Sequence, residues 1–409
     1  MALVVQKYGG TSVGTVERIK AVAQRIARVH AAGDRVVAVV SAMGHTTDEL
    51  LKLASAVSGR PSLREIDQLL ATGEEQSMAL VAMALHDLDV PAISLSGPQA
   101  GIRTTGPYGK SRISGIHPSR ALRALEDGKV VIVAGFQGLN RLDDVTTLGR
   151  GGSDTTAVAL AAALKADRCE IYTDVDGVYT ADPRLVPEAR QLERISYAEM
   201  AELAWRGAKV MHPRAIELGK LYGVDILVAS SFNDNPGTLI TEVAPVENVN
   251  TISGIAYDLD VAKVTVARAP AGTETLAGLF GPLGEAEISV DVIVVESAGN
   301  GGGRTDVSFT VAEKELHSVE PIVRRAAKRL GAGGVTLAGG FAKVSIVGTG
   351  MLNRPGYAAR MFKALAAAGI EVQMVTTSEI QVTCVIPREN VDEAVRRLHR
   401  AFGLEQGGV

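Results

Sequence analysis

Two basic residues in glycine-rich turns are the features of this sequence best suited to chemistry. Lys7 begins the motif Lys-Tyr-Gly-Gly-Thr-Ser after a short apolar run, and Arg150 stands between Gly149 and Gly151. Each turn is typical of a strand that passes into a helix, so that free backbone N–H groups and a helix dipole converge on one point. Two such turns, each with a cation, would suit a charge-dense group such as a polyphosphate. Either turn alone is as typical of an ordinary strand-to-helix connection.

Acidic residues near these turns are further candidates, and each has a structural alternative. Asp154 lies at the start of the helix predicted after Arg150, where it would cap the helix or orient a lysine. Glu74 stands at the start of another predicted helix, where a glutamate is commonly a partner for the helix dipole. The acids and hydroxyls of residues 172–184 would suit a nucleotide with its Mg²⁺, or form an ordinary acidic surface loop.

The elements that must position these residues alternate between strands and helices. We predict short buried strands at residues 3–5, 35–41, 92–95, 130–134, 170–173 and 225–229, and helices at 17–30, 49–56, 74–86 and 156–166. This alternation predicts an α/β fold with a mainly parallel sheet and helices on both of its faces. Ligands of such sheets collect at the carboxyl ends of the strands, which is where both glycine turns lie.

The second half of the chain contains an internal repeat. Residues 261–266 are echoed at 341–346, and residues 287–293 are echoed at 369–375. Each copy predicts the order β-α-β-β-α-β, so we expect two ferredoxin-like modules. The predicted domains are residues 1–245, 246–336 and 337–409, and an interleaving of the two modules stays open.

Composition narrows the class of protein. The chain has 409 residues, of which 46% are hydrophobic and 4% aromatic, and its formal net charge is −4. The sequence has no concentrated basic patch, so nucleic acid is not predicted as a partner. No apolar run is long enough to span a membrane, so a membrane partner is not predicted either. Cys169 and Cys384 show no metal-ligand spacing, so we predict no metal site made by the protein alone. Without a signal-peptide pattern, a reducing, cytoplasmic location is expected.

Five motifs together resemble those of the aspartate kinases, within the amino-acid kinase superfamily. They are Lys-Tyr-Gly-Gly-Thr-Ser at 7–12, Val-Val-Ser-Ala-Met-Gly at 39–44, Gly-Arg-Gly-Gly-Ser-Asp at 149–154, Tyr-Thr-Asp-Val-Asp-Gly-Val-Tyr-Thr-Ala-Asp-Pro-Arg at 172–184 and Val-Met-His-Pro-Arg-Ala at 210–215. The resemblance extends over nearly the whole chain, and the C-terminal repeat resembles a pair of ACT modules. It implies an amino-acid-kinase-like sheet sandwiched by helices, followed by two ferredoxin-like ACT modules.

The resemblance implies transfer of the γ-phosphoryl group of ATP, with Mg²⁺, to the β-carboxylate of L-aspartate, as a first step toward lysine, threonine and methionine. Lys7 would stabilise charge on the phosphoryl group, and Asp154 would hold that lysine. Aspartate would be bound by Ser41, Thr47, Glu74, Arg150, Gly151, Gly152 and Ser153, with Arg150 on its α-carboxylate and Glu74 on its α-amino group. ATP would be bound by Lys7, Tyr8, Gly9, Gly10, Thr173, Asp174, Tyr179, Arg184, Lys209 and Val210, and the backbone N–H groups of Gly9 and Gly10 would donate to phosphate.

The resemblance also implies regulation through the C-terminal modules. They would pair in at least a homodimer and bind a regulatory amino acid, threonine and/or lysine, at Asp291, Val292, Asn353, Pro355, Ser378 and Glu379. The first module departs from the family pattern, because residues 271–274 read Ala-Gly-Thr-Glu where a proline-glycine turn is expected. Modules that serve dimerisation alone are an alternative.

Two other functions stay open from the sequence. A kinase of the same superfamily that acts on glutamate or acetylglutamate would share the lysine and glycine turns, but such relatives usually lack the tandem repeat. A catalytically silent amino-acid-binding protein would not need Lys7, Arg150 and Asp154 together. An assay of ADP release with aspartate and ATP distinguishes all three functions.

Overall fold

The computed structural model describes residues 1–242, 252–297, 303–351 and 354–406, which form two compact units. The first unit contains the described residues of Met1–Val178, Gln191–Ala204 and Lys209–Ala244; the second contains those of Tyr179–Arg190, Trp205–Ala208 and Pro245–Val409. The predicted domain boundary between residues 245 and 246 lies outside the described residues and stays a prediction. Within the described ranges, no helix combines the length and the apolar character needed to cross a bilayer.

The first unit is built on an eight-stranded sheet. Its strands, together with those of a smaller sheet, are β1 (Leu3–Tyr8), β2 (Arg35–Val40), β3 (Ala92–Leu95), β4 (Ile102–Thr105), β5 (Arg112–Ile116), β6 (Val130–Ala134), β7 (Gln137–Leu139), β8 (Val145–Thr147), β9 (Arg168–Thr173), β10 (Arg194–Ser196), β11 (Ile226–Ser230) and β12 (Thr238–Thr241). The large sheet has the order β10-β12-β11-β9-β1-β2-β6-β3, and only β11 and β12 pair antiparallel. All six predicted strands are confirmed.

Helices alternate with these strands. They are α1 (Val16–Ala31), α2 (Thr46–Val57), α3 (Leu63–His86), α4 (Ser119–Glu126), α5 (Gly152–Leu164), α6 (Tyr197–Trp205) and α7 (Pro213–Tyr222). The centre of the sheet is buried on both faces, since every residue of β1 is buried. Helix α5 is buried on nearly all sides, in keeping with its run of alanine and valine. The residues at the ends of β1 and at the start of α5 are therefore held in a rigid interior.

Helix α3 begins at Leu63, so the prediction that a helix begins at Glu74 is wrong. Gly73, which directly precedes that predicted start, lies inside the helix. A Cβ atom at Gly73 would stand only 2.9 Å from the Cβ of Ala42. The glycine therefore lets α3 approach the loop after β2, and Glu74 lies in the middle of the helix rather than at its N-terminus.

Four short strands form a second sheet that the sequence pattern did not predict. Its order is β5-β4-β7-β8, and its strands have three to five residues each. Runs of this length with many polar residues give no clear period, which is why they were not recognised. The sheet matters for function because β8 ends at Thr147, immediately before the turn that carries Arg150.

The second unit contains a six-stranded antiparallel sheet with helices. Its elements are β13 (Gly254–Pro270), α8 (Thr273–Glu285), β14 (Asp291–Ser297), β15 (Arg304–Val311), α9 (Leu316–Arg329), β16 (Gly334–Val347), α10 (Tyr357–Ala367), β17 (Met374–Thr377), β18 (Gln381–Pro387) and α11 (Val391–Ala401). The sheet has the order β14-β15-β13-β16-β18-β17. Two long strands, β13 and β16, run through both halves of this sheet and join the two modules.

The two modules share strands rather than following one another. The later part of β13 pairs with β15 and with the start of β16, and the end of β16 pairs with β18. Residues 254–258, which form the start of β13 before the part that pairs with β15, pair with the end of β16. They occupy the place of the last strand of the second module, so the repeat is ferredoxin-like but interleaved.

A segment from the middle of the chain packs on the second module. Ala181 and Val186 are buried in the hydrophobic core that α10 and α11 cover. The Thr180 Oγ1 and His399 Nε2 atoms share a hydrogen bond of 2.9 Å. Residues 179–190 are therefore part of the second unit, although residues 178 and 191 belong to the first.

Candidate active site in the first unit

The candidate site lies at the edge where the parallel strands of the large sheet end. The register places Tyr8 of β1 beside Val40 of β2 and Tyr172 of β9. Beyond these residues, the Ser41 N–H donates to the Tyr8 carbonyl at 3.1 Å, and the Gly9 N–H donates to the Tyr172 carbonyl at 3.2 Å. The N–H group of Gly9 is thus used within the protein, contrary to the prediction that it donates to phosphate.

Gly10 lies where two loops at this edge approach each other closely. Its carbonyl accepts a hydrogen bond from the Gly44 N–H at 3.0 Å. A Cβ atom at Gly10 would stand 2.8 Å from the Ala42 carbonyl oxygen, so any side chain would separate the loops. Residues Gly10–Val13 form a short 3₁₀ turn, and α1 begins only at Val16, later than a direct strand-to-helix turn would place it.

The side chain of Tyr8 does not reach this edge, so its predicted role in binding ATP stays a prediction for its backbone alone. Its ring is completely buried and stacks on the ring of Tyr172, with 5.1 Å between the centroids. Its hydroxyl donates to Gln6 Oε1 at 3.1 Å. Burial raises the pKa of Tyr8 well above its usual value, so the phenol stays neutral. Only the backbone of Tyr8 faces the loops.

Lys7 and Asp154 meet in a buried charge pair. The Lys7 Nζ atom lies 2.7 Å from Asp154 Oδ1, and each side chain is 11% exposed. Asp154 Oδ2 accepts a further hydrogen bond from the His212 N–H at 3.3 Å. The structure therefore brings together residues that are far apart in the sequence, one at the end of β1 and one in the first turn of α5.

The Arg150 turn leads directly into α5, as its sequence predicted. Gly151 has a φ of 69°, and a Cβ atom there would stand 2.2 Å from the Cβ of His212. A Cβ atom on Gly152 would stand 2.7 Å from a ring carbon of Phe136. These glycines are required by backbone conformation and packing. Arg150 itself is exposed, and its guanidinium makes no hydrogen bond or ion pair within the described parts of the chain.

Glu74 places a carboxylate beside the loop after β2. Its Oε1 atom accepts a hydrogen bond from the Ala42 N–H at 3.2 Å, while its buried Oε2 atom has no partner among the described residues. Burial raises the pKa of Glu74 to about 7. A buried oxygen without a partner is costly, so this atom is suited to a hydrogen-bond donor from a ligand.

Three predicted hydroxyl groups lie in or near the same loops. Ser41 directly follows β2, and Thr47 lies in the first turn of α2; both are half-buried. Ser153 is buried in the first turn of α5, and its Oγ atom would be 2.7 Å from a Cβ atom built on Gly135, which follows β6. Ser153 therefore packs against the end of another parallel strand.

The predicted nucleotide residues fall in different places. Thr173 ends β9 at the same sheet edge as Lys7, and the exposed Asp174 follows it. Lys209 and Val210 lie in the turn before α7 of the first unit. Tyr179 and Arg184 belong to the second unit, where Arg184 Nη2 lies 2.7 Å from Asp182 Oδ2.

Sequence reasoning missed two residues of this edge. Ser231 follows β11, accepts a hydrogen bond from Ser12 Oγ at 2.9 Å and donates to the Thr173 carbonyl at 3.1 Å. Its position after a predicted strand was the available signal. Arg214, from the Met-His-Pro-Arg motif, donates from Nη1 to the Leu148 carbonyl at 2.8 Å.

The residues at this edge fit a phosphate-bearing ligand better than a metal held by protein groups alone. In the described parts of the chain, no group of three or more histidine, cysteine or acidic side chains could hold a metal ion. Mg²⁺ bound with a nucleotide takes most of its oxygen ligands from phosphate and water and needs only one or two carboxylates. Asp174 is a suitable carboxylate, and Lys7 is a suitable cation for phosphate.

Comparison with known proteins places this geometry in a family. Residues 2–230 match the amino acid kinase family, and residues 344–402 match the ACT domain. The chain is 48% identical to an aspartokinase of Thermus thermophilus over 410 aligned residues, which cover 99% of this chain and 100% of that relative. The chain belongs to the aspartokinase family. The family and the fold expected from its motifs are therefore confirmed.

Solved aspartokinase structures share the fold. A structure of Escherichia coli aspartokinase III in complex with aspartate and ADP, the R-state, has a TM-score of 0.82 and 25% identity and covers 98% of this chain and 100% of that chain. A structure of the same enzyme in complex with lysine and aspartate, the T-state, has a TM-score of 0.74 and 26% identity, with 98% and 99% covered. The aspartokinase fold is thus known in another protein with aspartate and ADP and with lysine and aspartate.

The residues predicted to bind an effector are placed in the second unit. Asp291 Oδ2 lies 2.7 Å from Lys343 Nζ and 3.0 Å from Arg206 Nη1, so this carboxylate is already paired. Val292 is buried, with a φ of 44° that is unusual for a β-branched residue. Pro355 is exposed. Asn353 lies outside the described residues.

Ser378 and Glu379, the other predicted effector residues, lie in the tight turn between β17 and β18. Both are exposed, and the Ser378 N–H donates to the Gln381 carbonyl at 2.9 Å. Their binding role stays a prediction.

Proposed function

We propose that this chain transfers the γ-phosphoryl group of ATP to the β-carboxylate of L-aspartate. A β-carboxylate oxygen forms a bond to the γ-phosphorus, the bond from that phosphorus to the bridging oxygen of ADP breaks, and the electron pair leaves with ADP. The products are 4-phospho-L-aspartate and ADP. The observation that carries the proposal is the buried Lys7–Asp154 pair at the carboxyl ends of the strands.

The chemistry requires fixed positive charge rather than a general base. A carboxylate is already ionised and nucleophilic at neutral pH, so no proton has to be removed from it. The difficulty is to bring two anions together, and phosphoryl transfer depends on positioning and electrostatic stabilisation. Lys7 is the proposed source of that charge, and Asp154 is proposed to hold its ammonium group. Mg²⁺, when bound, would neutralise further phosphate charge.

The proposed aspartate site uses the Arg150 turn and α3. The Arg150 guanidinium would bind the α-carboxylate, with Ser153 beside it, because a guanidinium presents a rigid pair of donors to a carboxylate. Glu74 would accept the α-amino group on its unpartnered Oε2 atom. Ser41 and Thr47 would complete the pocket. For the nucleotide and Mg²⁺ we propose Thr173, Asp174, Lys209 and Val210, and the assignment of Tyr179 and Arg184 stays a prediction.

We also propose that the second unit binds a regulatory amino acid and pairs with a second copy of the chain. The ACT match and the lysine complex of a related enzyme support this proposal. Feedback by lysine or threonine would suit a first step toward lysine, threonine and methionine. Titration of the activity with threonine, with lysine and with both tests it; activity unaffected by any of them would favour modules that serve dimerisation alone.

The catalytic proposal is tested by product identity as well as by turnover. Purified protein should release ADP from ATP when aspartate is present, and added hydroxylamine should trap the acyl phosphate as a hydroxamate. Glutamate and acetylglutamate are the matched substrates for the alternative kinases. ADP release with either of them and not with aspartate would contradict the proposal, and no release with any acid would favour a silent binding protein.

A further inference from the structure

Asp67 is a completely buried carboxylate that neither the motifs nor the proposed mechanism uses. It lies near the start of α3. Its Oδ2 atom accepts hydrogen bonds from the Gly109 N–H at 2.9 Å and from the Thr147 N–H at 3.0 Å, and its Oδ1 atom accepts one from Thr147 Oγ1 at 2.6 Å. Burying a carboxylate is costly unless its oxygens are satisfied, so these contacts require an explanation.

The groups that donate hydrogen bonds to Asp67 lie in the two segments that hold the Arg150 turn in place. Thr147 is the last residue of β8, three residues before Arg150. Its carbonyl accepts a hydrogen bond from the Ser111 N–H at 3.0 Å, which joins it to the loop that contains Gly109. A Cβ atom on Gly149 would stand 3.0 Å from the Gly109 carbonyl oxygen. The loop and the turn therefore pack tightly, with the Asp67 carboxylate bonded to both.

Arg214 holds the same two segments at a second point. Its Nη1 atom donates to the Leu148 carbonyl at 2.8 Å, and its Nη2 atom donates to the Ser111 carbonyl at 3.3 Å. The backbone that leads into Arg150 is thus fixed by two buried or partly buried charged groups. Asp67 and Arg214 can therefore affect the backbone position of Arg150 without touching a substrate.

The position of Asp67 on α3 links this support to Glu74. The two residues are seven positions apart, which is two helical turns, so their side chains leave the same face of the helix at about 10 Å along its axis. At the other end of this stretch of helix, the Glu74 carboxylate accepts a hydrogen bond from the Ala42 N–H at 3.2 Å. One rigid helix therefore holds the turn that carries Arg150 and the loop that contains Ser41.

We propose that Asp67 is a positioning residue that fixes the Arg150 turn relative to Glu74, and so sets the affinity for the amino-acid substrate. The inference rests on the proposed function, in which Arg150 and Glu74 bind the α-carboxylate and α-amino group of aspartate. Asp67 does not touch the reacting atoms. Its effect should therefore fall on the binding of aspartate, with little effect on the binding of ATP.

The test compares Asp67→Ala with Asp67→Asn. Alanine leaves the partly buried N–H of Gly109 and the buried N–H of Thr147 without this acceptor, whereas asparagine keeps an oxygen for them and can donate its amide to the Thr147 hydroxyl. We expect Asp67→Ala to raise KM for aspartate at least about tenfold, since small displacements of a positioning group are expensive in rate and affinity. KM for ATP should stay within about twofold, and Asp67→Asn should restore KM for aspartate.

Glu199→Ala is the matched control. Glu199 is also buried in the first unit, and its Oε2 atom accepts from Ser196 Oγ at 2.7 Å at the start of α6. This variant should lower the melting temperature without changing KM for aspartate. If Asp67→Ala does not fold, Thr147→Val replaces it, because valine removes only the hydroxyl contact to Asp67, and Thr147→Ser is its control.

The outcomes separate this inference from the proposed function. A wild-type protein that releases no ADP with aspartate contradicts the proposed function and this inference with it. An active wild type with an unchanged KM for aspartate in folded Asp67→Ala, or in Thr147→Val where it replaces that variant, contradicts the inference alone. Equal shifts in KM for aspartate and KM for ATP would also overturn it, because they indicate general damage rather than displacement of the Arg150 turn.

Discussion

The two halves of the candidate site are prepared to different degrees. On the proposed phosphoryl side, Lys7 is buried at the end of a central strand and already lies 2.7 Å from Asp154. On the proposed amino-acid side, Arg150 is exposed, and among the described residues neither its guanidinium nor the buried Glu74 Oε2 atom has a partner. One half is complete within the chain, whereas the other lacks the groups that a substrate would supply.

This difference follows from what each half is proposed to do. Charge that stabilises a transition state is most effective when it is fixed beforehand, because no reorganisation is then needed during the reaction. Groups that bind the ends of a substrate must instead be free to exchange water for that substrate. We therefore expect variants of the phosphoryl side to change mainly kcat, and variants of the amino-acid side to change mainly KM for aspartate.

The largest effect is expected for Lys7→Ala. This substitution removes the proposed fixed charge, and losses of one such group lower kcat by about 10³-fold. KM for aspartate should change little, because Lys7 is not proposed to bind its α-groups. Steady-state kinetics of ADP release measures both constants, and the melting temperature serves as the control for folding. A kcat close to that of the wild type would exclude the proposed role of Lys7 and remove the basis of the comparison.

Asp154→Asn tests whether the lysine must be held as well as present. Asparagine keeps the size of the side chain and an acceptor for the His212 N–H, which lies 3.3 Å from Oδ2, but it removes the negative charge beside Lys7. A displaced ammonium group should lower kcat by about 100-fold, less than its removal. Measurement of kcat for Asp154→Asn, Lys7→Ala and the double variant is the decisive design. If the two effects multiply in full, the residues act independently and the pair is not a unit.

The residues alone predicted the strands around this pair, but they gave contact between Asp154 and a lysine only as an alternative to helix capping. Lys7 and Asp154 are separated by more than a hundred residues, and only the resemblance to a family linked them before the fold was known. The buried strands were recognisable because β1 and β6 are continuous apolar runs, as parallel strands covered on both faces require. By contrast, the start of α3 was predicted too late, at Glu74, and the close packing of Gly73 against Ala42 inside that helix cannot be read from the sequence.

Asp67, which is proposed to hold the Arg150 turn in place, could not be predicted from the sequence for a similar reason. A helix boundary placed at residue 74 left Asp67 in a predicted loop, where an aspartate gives no signal. Its three donors come from a strand and a loop of the small sheet, whose strands were too short to be predicted. The role of such a residue is set by contacts between segments that are distant in the sequence. It therefore becomes recognisable only when the fold is known.

Arg150→Ala should have its main effect on substrate affinity. A hydrogen bond to a charged group contributes about 1.5–3 kcal/mol, so the loss of the proposed contact should raise KM for aspartate by roughly 10- to 100-fold. The change in kcat should be smaller than that of Lys7→Ala. Arg150→Lys keeps the positive charge but not the paired donors. Its KM for aspartate should therefore lie between those of the wild type and Arg150→Ala. A variant with unchanged KM and a strongly reduced kcat would assign Arg150 to the phosphoryl side and reverse the comparison.

The smallest effect is a dependence of aspartate binding on pH. Burial raises the pKa of Glu74 to about 7, and only the ionised carboxylate can pair with an α-ammonium group. Below that pH the carboxyl group must lose its proton before aspartate binds, so KM for aspartate should rise about tenfold for each pH unit below 7. Above pH 7 the group is already ionised and KM should become constant.

Glu74→Gln is the control for this dependence, because glutamine keeps an oxygen acceptor but has no proton to lose in this range. Its KM for aspartate should be higher than that of the wild type at pH 8 and nearly constant between pH 6 and 8. We expect kcat to depend on the buried Lys7–Asp154 pair, so kcat should not follow the protonation of Glu74. A wild-type KM that does not change between pH 6 and 8 would mean that Glu74 does not bind the ammonium group, and the amino-acid side would then lack one of its two proposed anchors.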